Sequence, residues 1–412
     1  MSHTIKTLSV GDITRKALEI LHNNLVFVKT INRQYDDRFA RAGAKNGGTL
    51  YIREPNQFTV RTGAVMDTQD VTESTQTLTL ATQKGVDVNF SSVELTLSLD
   101  DFAERILNPA MKRLAAEVDK TVIAGCYPEV YNLENTTFGT KPVLADIMSA
   151  RALLNKGLTP SGDRVIMTES LAANSIISDG KALYNPASEI SRQYESGLIG
   201  TIGGFKFYES EMTPTHTCGT RTDTTPTCNT SATSTSFSQG GTTIKLSAGA
   251  TGTTLLPGDT FTIAGLYAVN PETKAVYSHL QQWSVTATAD VTTTTTTVYV
   301  SPAIYTSGAK QNVSVVTATA AAAVINLTAG GSGSAGVSYV HTLAYHKDAF
   351  TFVTADLEMP QGVDFASRKV IDGISLRIVR QYDVVNDKFP CRIDVLFGYK
   401  CIRPEWACRL SS

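Results

Sequence analysis

Three segments between residues 77 and 99 alternate apolar and polar side chains with period two. They are Thr77-Leu78-Thr79-Leu80-Ala81, Val86-Asp87-Val88-Asn89-Phe90 after Gly85, and Val93 to Leu99. This alternation predicts strands with one apolar face. Thr49 to Arg53 is a further strand-like run, bounded by Gly47-Gly48 and Pro55, while Asn56 to Thr75 is polar and weakly patterned. Together they predict a protruding β-arm over residues 46–99, too poor in large apolar side chains to build a core of its own. Upstream, Ile13 to Val28 has the pattern of one short amphipathic helix, followed by an extended arm.

The strongest helical period comes next. Asp100 is placed to cap a short turn that runs to Leu107. Asn108-Pro109 then restarts a helix, with Asn as the cap and Pro at the first position, where a missing N–H costs nothing. Ala110, Met111, Leu114, Val118, Val122 and Ile123 fall on one face, and the helix is expected to end near Gly125. Pro142 to Asn155 predicts a second helix closed by Lys156-Gly157, Arg164 to Met167 a buried strand, and Glu169 to Ser178 another helix. Ser196 to Tyr208, with four glycines between apolar residues, predicts a loop entering a strand. Helices and strands alternate here, as in an α+β or α/β domain.

From Thr217 to Tyr339 the composition shifts to Thr, Ser, Ala and Gly, with eight charged residues that sum to zero. Short strand signals recur at Thr242 to Leu246, Thr260 to Ile263, Trp283 to Thr286, Val298 to Val300 and Val313 to Val315, with a turn at Leu256 to Asp259. They predict a small sandwich or barrel. The threonine run Thr292 to Thr297 suits a strand or its approach, since β-branched side chains favour extended backbone. Mixed patterning returns at Ala344 to Phe350, Ile374 to Arg380 and Cys391 to Lys400, so the Thr-rich block is expected to be inserted into a discontinuous α+β domain.

Composition narrows the function. The chain has 412 residues, 42% hydrophobic, which argues against global disorder, and only 18% charged, which fits either a small solvent-facing surface or much surface buried against copies of itself. The net charge of −2 argues against a general nucleic-acid grip. Residues 1–41 hold seven basic against four acidic side chains, a mild excess that fits a solvated arm. No apolar run approaches a membrane span and no secretory signal is visible. Six cysteines are too few for a disulfide scaffold and are expected to be reduced thiols.

Chemical motifs are sparse. Gly331 to Gly336 fits G-x-G-x-x-G, yet the strand-like Val337 to Val340 follows instead of the helix a dinucleotide site requires. His341 and His346 lie five apart, and Cys391, Cys401 and Cys408 lack metal-site spacing. The acidic pairs Asp36-Asp37, Asp100-Asp101 and Glu209/Glu211 have no partner signature, and neither a nucleophile elbow nor a Walker loop appears. No catalytic residue, cofactor or metal is expected, and the balance tilts toward a structural protein.

The order of parts, with Cys391-Arg392-Ile393, Gly398-Tyr399 and Arg403-Pro404-Glu405 at the end, Gly258-Asp259 and Ala264-Gly265 in the Thr-rich block, and Gly197 to Glu209 before it, resembles tailed-bacteriophage major capsid proteins of the phage P22 coat protein family. The resemblance implies an α+β HK97-like capsid fold. On that mapping residues 1–45 form an N-terminal helix and arm, 46–99 an extended E-loop, and 100–141 the spine helix and peripheral-domain segment. Residues 142–216 begin the axial domain, 217–339 form an inserted β-barrel-like domain, and 340–412 return to the axial and peripheral domains. It implies self-assembly through pentamers and hexamers into an icosahedral shell, with packaged double-stranded DNA held non-specifically on the inner face. A separate scaffolding protein, a portal protein and a decoration protein are the other implied partners, with no membrane, and assembly is expected in the bacterial host cytoplasm. Inter-subunit contact is expected at Tyr51, Arg53, Phe58, Arg61, Leu78, Leu80, Lys84 and Phe90. Lys84 lies where a crosslinking lysine would stand, but nothing in the sequence identifies its partner. The competing reading, from the Thr-rich block, is a β-rich decoration, tail or adhesin-type protein.

Overall fold

The computed structural model describes residues 10–35, 49–66, 68–70, 73–91, 106–134, 140–180, 200–221, 239–247, 251–292, 295–315, 325–327 and 335–411. Its helices are α1 (Val10–Asn24), α2 (Phe27–Thr30), α3 (Asn108–Cys126), α4 (Leu144–Lys156) and α5 (Ser170–Gly180). Strands β1 (Asn32–Tyr35), β2 (Thr49–Arg53), β3 (Thr75–Thr79) and β4 (Thr82–Ser91) precede α3. Next come β5 (Leu133–Glu134), β6 (Arg164–Thr168), β7 (Thr201–Ile202), β8 (Phe205–Glu209) and β9 (Thr215–Thr217). The Thr-rich block contributes β10 (Gly241–Ser247), β11 (Thr254–Leu255), β12 (Thr260–Val269), β13 (Val276–Val285), β14 (Ala289–Asp290), β15 (Thr295–Ile304), β16 (Val313–Val315) and β17 (Ile325–Leu327). The return adds β18 (Ser338–His346), β19 (Phe350–Ala355), β20 (Phe365–Ile371), β21 (Ile374–Arg380), β22 (Lys388–Cys401) and β23 (Ala407–Ser411). The expected strand Val93 to Leu99, the Asp100 cap and Gly331 to Ser334 lie outside the described residues.

The chain divides into two units: residues 1–53, 75–123 and 350–400 form the first, and the remainder forms the second. The first is built on a sheet of order β1-β19-β22-β21-β20, with β4 also paired to β22. The expected arm strand Val86 to Phe90 is therefore a sheet member, antiparallel to Ile393 to Phe389. Gly85 permits this pairing, because a Cβ there would stand 2.4 Å from Asp394 Oδ1 and 2.6 Å from Ile393 O. β2 and β3 pair separately as an antiparallel ribbon.

The single helix expected over residues 13–28 is instead two. α1 buries Thr14, Ala17, Leu18 and Leu21 at spacings of three and four, and the chain breaks at Leu25-Val26. The cause is Asp119 of α3. Its buried carboxylate accepts the backbone N–H groups of Val26 (2.7 Å), Phe27 (3.3 Å) and Val28 (3.1 Å), the donors that open α2. The expected extended arm also enters the sheet, since β1 pairs in parallel with β19 from Asn32 to Tyr35.

The second unit has a sheet of order β5-β23-β18-β6-β8-β7, with β9 on β18. Every residue of β6 is buried, and Ile166, Ala344, Cys408 and Leu410 pack with Ile147, Ala150 and Leu154 of α4 and Ile176 of α5. α4 starts where the Asp146 carboxylate accepts the Val143 N–H at 2.8 Å. β9 and β18 pair from Thr217–Ser338 to Thr215–Val340, so the Thr-rich block leaves and re-enters through adjacent strands. Between them β10-β15-β13-β12-β16 forms a second antiparallel sheet, with β17 on β12. The apolar alternation of β15 points Val298 and Val300 into a core with Ile244, Phe261, Ile263 and Trp283. The rings of Phe261 and Trp283 stack at 6.1 Å.

Candidate assembly surface

The ribbon β2–β3 is sealed at its base and open at its tip. Leu78 and Leu80 are buried with Val353 and Ala355, and Leu50, Ile52 and Leu396 pack against them. Tyr51 and Arg53 point to the other, exposed face, as period-two alternation requires. In the connecting loop the polarity rule inverts: Phe58 is 60% exposed, Val60 96%, Val65 84% and Met66 76%. Four large apolar side chains are thus exposed on one loop, more than a solvated surface segment calls for.

The loop is nevertheless tied down. Thr59 N–H donates to Gln69 Oε1 at 2.8 Å and Gln69 Nε2 donates to Thr59 O at 2.6 Å. Arg61 donates to Gly63 O. At its root Glu54 N–H donates to Ser74 O, and Ser74 Oγ donates to Glu54 Oε2 at 2.6 Å. Lys310, from the turn after β15, donates to Ser74 Oγ at 3.0 Å and sits 3.8 Å from Glu54 Oε2. A recess of about 380 Å³ opens beside it, lined by Asn56, Phe58, Gln69, Tyr305 and Lys310 among others.

The turn that carries Lys310 is itself anchored. Lys274, in the left-handed region at φ 59°, donates from its ammonium to the carbonyls of Pro271 (2.6 Å), Ala309 (2.5 Å) and Gln311 (3.4 Å). Burial pulls its pKa below the ordinary lysine value. Nothing in the spacing of residues 54, 74, 274 and 310 signals this chain of contacts.

The eight residues expected from the sequence thus fall into three groups. Phe58 and Arg61 lie on the exposed loop, with Tyr51 and Arg53 on the exposed ribbon face. Leu78 and Leu80 are covered from within the chain. Lys84 and Phe90 belong to β4, where they pair with Val395 and Phe389. Lys84 lies 3.1 Å from Glu117, and that hydrogen bond holds the Glu117 carboxyl below the usual range.

A buried polar seam holds the Thr-rich module against its own unit. Asp259 accepts from Leu256 N–H (2.8 Å), Gly219 N–H (3.1 Å) and His216 Nε2 (2.9 Å). His216 Nδ1 faces Tyr127 OH at 3.2 Å. Arg409 of β23 donates to Gly258 O at 2.7 Å and to Ser284 Oγ at 3.3 Å. Complete burial lowers the Arg409 guanidinium to about 10. Gly258, at φ 101°, must lack a side chain, since a Cβ would meet the His216 ring at 2.9 Å. Gln282 exchanges hydrogen bonds with the Leu133 backbone, and Tyr277 OH donates to Lys156 O at 3.1 Å. Apart from the local Leu256–Asp259 contact, inside a turn the sequence did show, sequence reasoning missed these because the partners lie 40 or more positions apart.

No described helix is long and apolar enough to cross a membrane. An α+β subunit that exposes Phe58, Val60, Val65 and Met66 on one anchored loop fits the class of self-associating structural proteins. The chain belongs to the phage coat protein family described as P22 coat protein - gene protein 5, whose model matches residues 7–409. It is a major capsid protein, the coat subunit of an icosahedral phage shell. Similar solved structures include one from Mycobacterium phage Che8, with 13% identity and TM-score 0.46, covering 94% of this chain and 90% of that one. The capsid of cyanophage P-SCSP1u matches at 10% identity and TM-score 0.46, covering 94% of this chain and 88% of that one. A virus-like particle from Pyrococcus furiosus matches at 7% identity and TM-score 0.42, covering 97% of each. No curated protein sequence matches the chain.

Proposed function

We propose that the loop 54–74 is the E-loop of an HK97-like subunit and docks on a neighbouring copy in pentamers and hexamers. The observation that carries this reading is the solvent exposure of Phe58, Val60, Val65 and Met66 on a loop whose base is already sealed. Burying apolar area of this kind contributes about 25 cal/mol per Å², and a closed shell multiplies a weak contact over many neighbours. In this reading α3 is the spine helix, the sheet around β6 and β18 forms the axial domain, and residues 217–339 form the insertion domain. Tyr51, Arg53 and Arg61 take part in the same contact. A separate scaffolding protein guides assembly in the host cytoplasm, a portal protein occupies one vertex, the shell encloses double-stranded DNA without sequence readout, and a decoration protein binds outside.

The test is a variant with residues 56–73 replaced by a short Gly-Ser linker, examined beside the parent by sedimentation and negative-stain microscopy with and without scaffold. A folded, soluble subunit that forms no shells is the expected result. Normal shells from this variant would refute the docking role.

A further inference from the structure

We propose that His216, Cys218 and Asp259 form a structural site for a zinc-class divalent metal, with His341 beside them as fourth donor. The site is separate from the assembly surface, and the proposal stands or falls independently of it.

The donors converge from separate parts of the second unit. His216 and Cys218 come from β9 and the residue after it, Asp259 from the turn before β12, and His341 from β18. One nitrogen, one sulfur and one carboxylate oxygen of the first three lie within 4.8 Å of one another, and all three residues are buried. Tetrahedral zinc holds such donors roughly 2.0–2.3 Å from the metal, so they would stand about 3.3–3.8 Å apart. The first three donors need shifts of about 1 Å, while His341, which is not among the donors within 4.8 Å, must turn its ring toward them.

The surrounding contacts orient the donors as a metal requires. The Leu256 N–H engages Asp259 Oδ2 at 2.8 Å, the Gly219 N–H is shared between Oδ2 at 3.1 Å and Oδ1 at 3.4 Å, and Oδ1 lies 2.9 Å from His216 Nε2. With metal on Nε2, the His216 proton moves to Nδ1 and is donated to Tyr127 OH, already 3.2 Å away. A second hydrogen bond of this kind fixes the tautomer of a ligating histidine. The Cys218 thiol lies 2.5 Å from Tyr339 OH. On binding, its S–H proton leaves to solvent and the thiolate pair forms the metal–sulfur bond, so no oxidant or reductant is needed.

His341 supplies the independent observation. It is 1% exposed, and neither ring nitrogen has a hydrogen-bond partner. The Leu410 backbone is near but outside hydrogen-bond geometry. An imidazole buried without partners is costly, and this one stands with its ring 5.5 Å from that of His216. A closed, water-excluded set of mixed N, O and S donors is structural rather than catalytic, and here it would pin the inserted module to β9 and β18.

The experiment uses the full-length reduced subunit, stripped with chelator, reloaded with Zn²⁺ or Co²⁺ and dialysed. About one retained zinc per chain is expected, and the cobalt form should show thiolate-to-cobalt charge-transfer absorption. Cys218→Ser should abolish that absorption and cut retained metal about tenfold, while Cys391→Ser keeps both. His341→Gln should weaken zinc affinity by about 10–100-fold, with folding checked by circular dichroism. A folded parent protein that retains no metal would overturn the proposal. So would retention that Cys218→Ser leaves unchanged, which is surface binding only.

Discussion

The Asp119 carboxylate accepts the Val26 N–H at 2.7 Å, across 93 positions of sequence, and that bond divides the N-terminal helix in two. Asp119→Ala leaves three backbone donors in a buried site and should destabilise the subunit by about 2–4 kcal/mol in urea unfolding. Asp119→Asn keeps one acceptor oxygen and should lose less.

The same group sets a pH dependence. Burial raises its carboxyl from 3.8 to about 6, against the opposing pull of the three N–H groups. The folded state therefore takes up this proton at higher pH than the unfolded chain. Its contribution is fully present below pH 3.8 and is lost as pH rises through about 6. Unfolding free energy measured from pH 4 to 7 should carry a slope from this group that Asp119→Asn removes. An unchanged slope in the variant would show that Asp119 titrates alike in both states.

Gly85 has no room for a methyl group. Asp394, which a Cβ would strike, is held by Arg377 at 2.8 Å and by Arg392 at 2.7 Å, so it cannot step aside cheaply. Gly85→Ala should cost about 2–3 kcal/mol. Gly162→Ala, where nothing lies within 4 Å of the added carbon, is the control and should stay within about 0.5 kcal/mol.

Lys274 and Lys310 act in series on the 54–74 loop. Lys274→Ala removes a three-carbonyl anchor and should speed amide exchange about tenfold in residues 305–312 and in the loop root near Glu54 and Ser74. Lys310→Ala should affect the root alone. Hydrogen-exchange mass spectrometry separates the two, and equal protection in both variants would refute the linkage.

Leu78 distinguishes the sealed base from the open tip. Leu78→Ala, in the cluster with Val353 and Ala355, should cost about 2–4 kcal/mol. Phe58→Ser should leave unfolding within about 0.5 kcal/mol, because most of its side chain is already exposed.

Local chemistry explains what the sequence made legible. β21 falls where Ile374 to Arg380 predicted it, and α4 ends at Lys156 beside the expected Gly157, since period and turn residues are properties of neighbours. The strands of the Thr-rich block were visible for the same reason, although β13 begins at Val276, seven residues before the Trp283 signal, because Val276-Tyr277-Ser278-His279-Leu280 does not alternate apolar and polar residues. Long-range pairing was not legible. Nothing near Val86 says that it faces Ile393, and nothing near residue 13 says that Asp119 will interrupt the helix. At the candidate surface, the exposed Phe58 and Arg61 were named from the loop's position, whereas Lys310 and Lys274 required coordinates. The seam of His216, Asp259 and Arg409 was invisible for the same reason, and the five described cysteines, all buried, gave no spacing to read.

β23 lies between β5 and β18, so residues 407–411 occupy an interior position in a sheet whose other members are all made earlier. A ribosome must translate every preceding strand before that slot can be filled. Until residues 407–411 are made, β5 and β18 lack the neighbour they share, and the Arg409 that reaches Gly258 and Ser284 is missing as well.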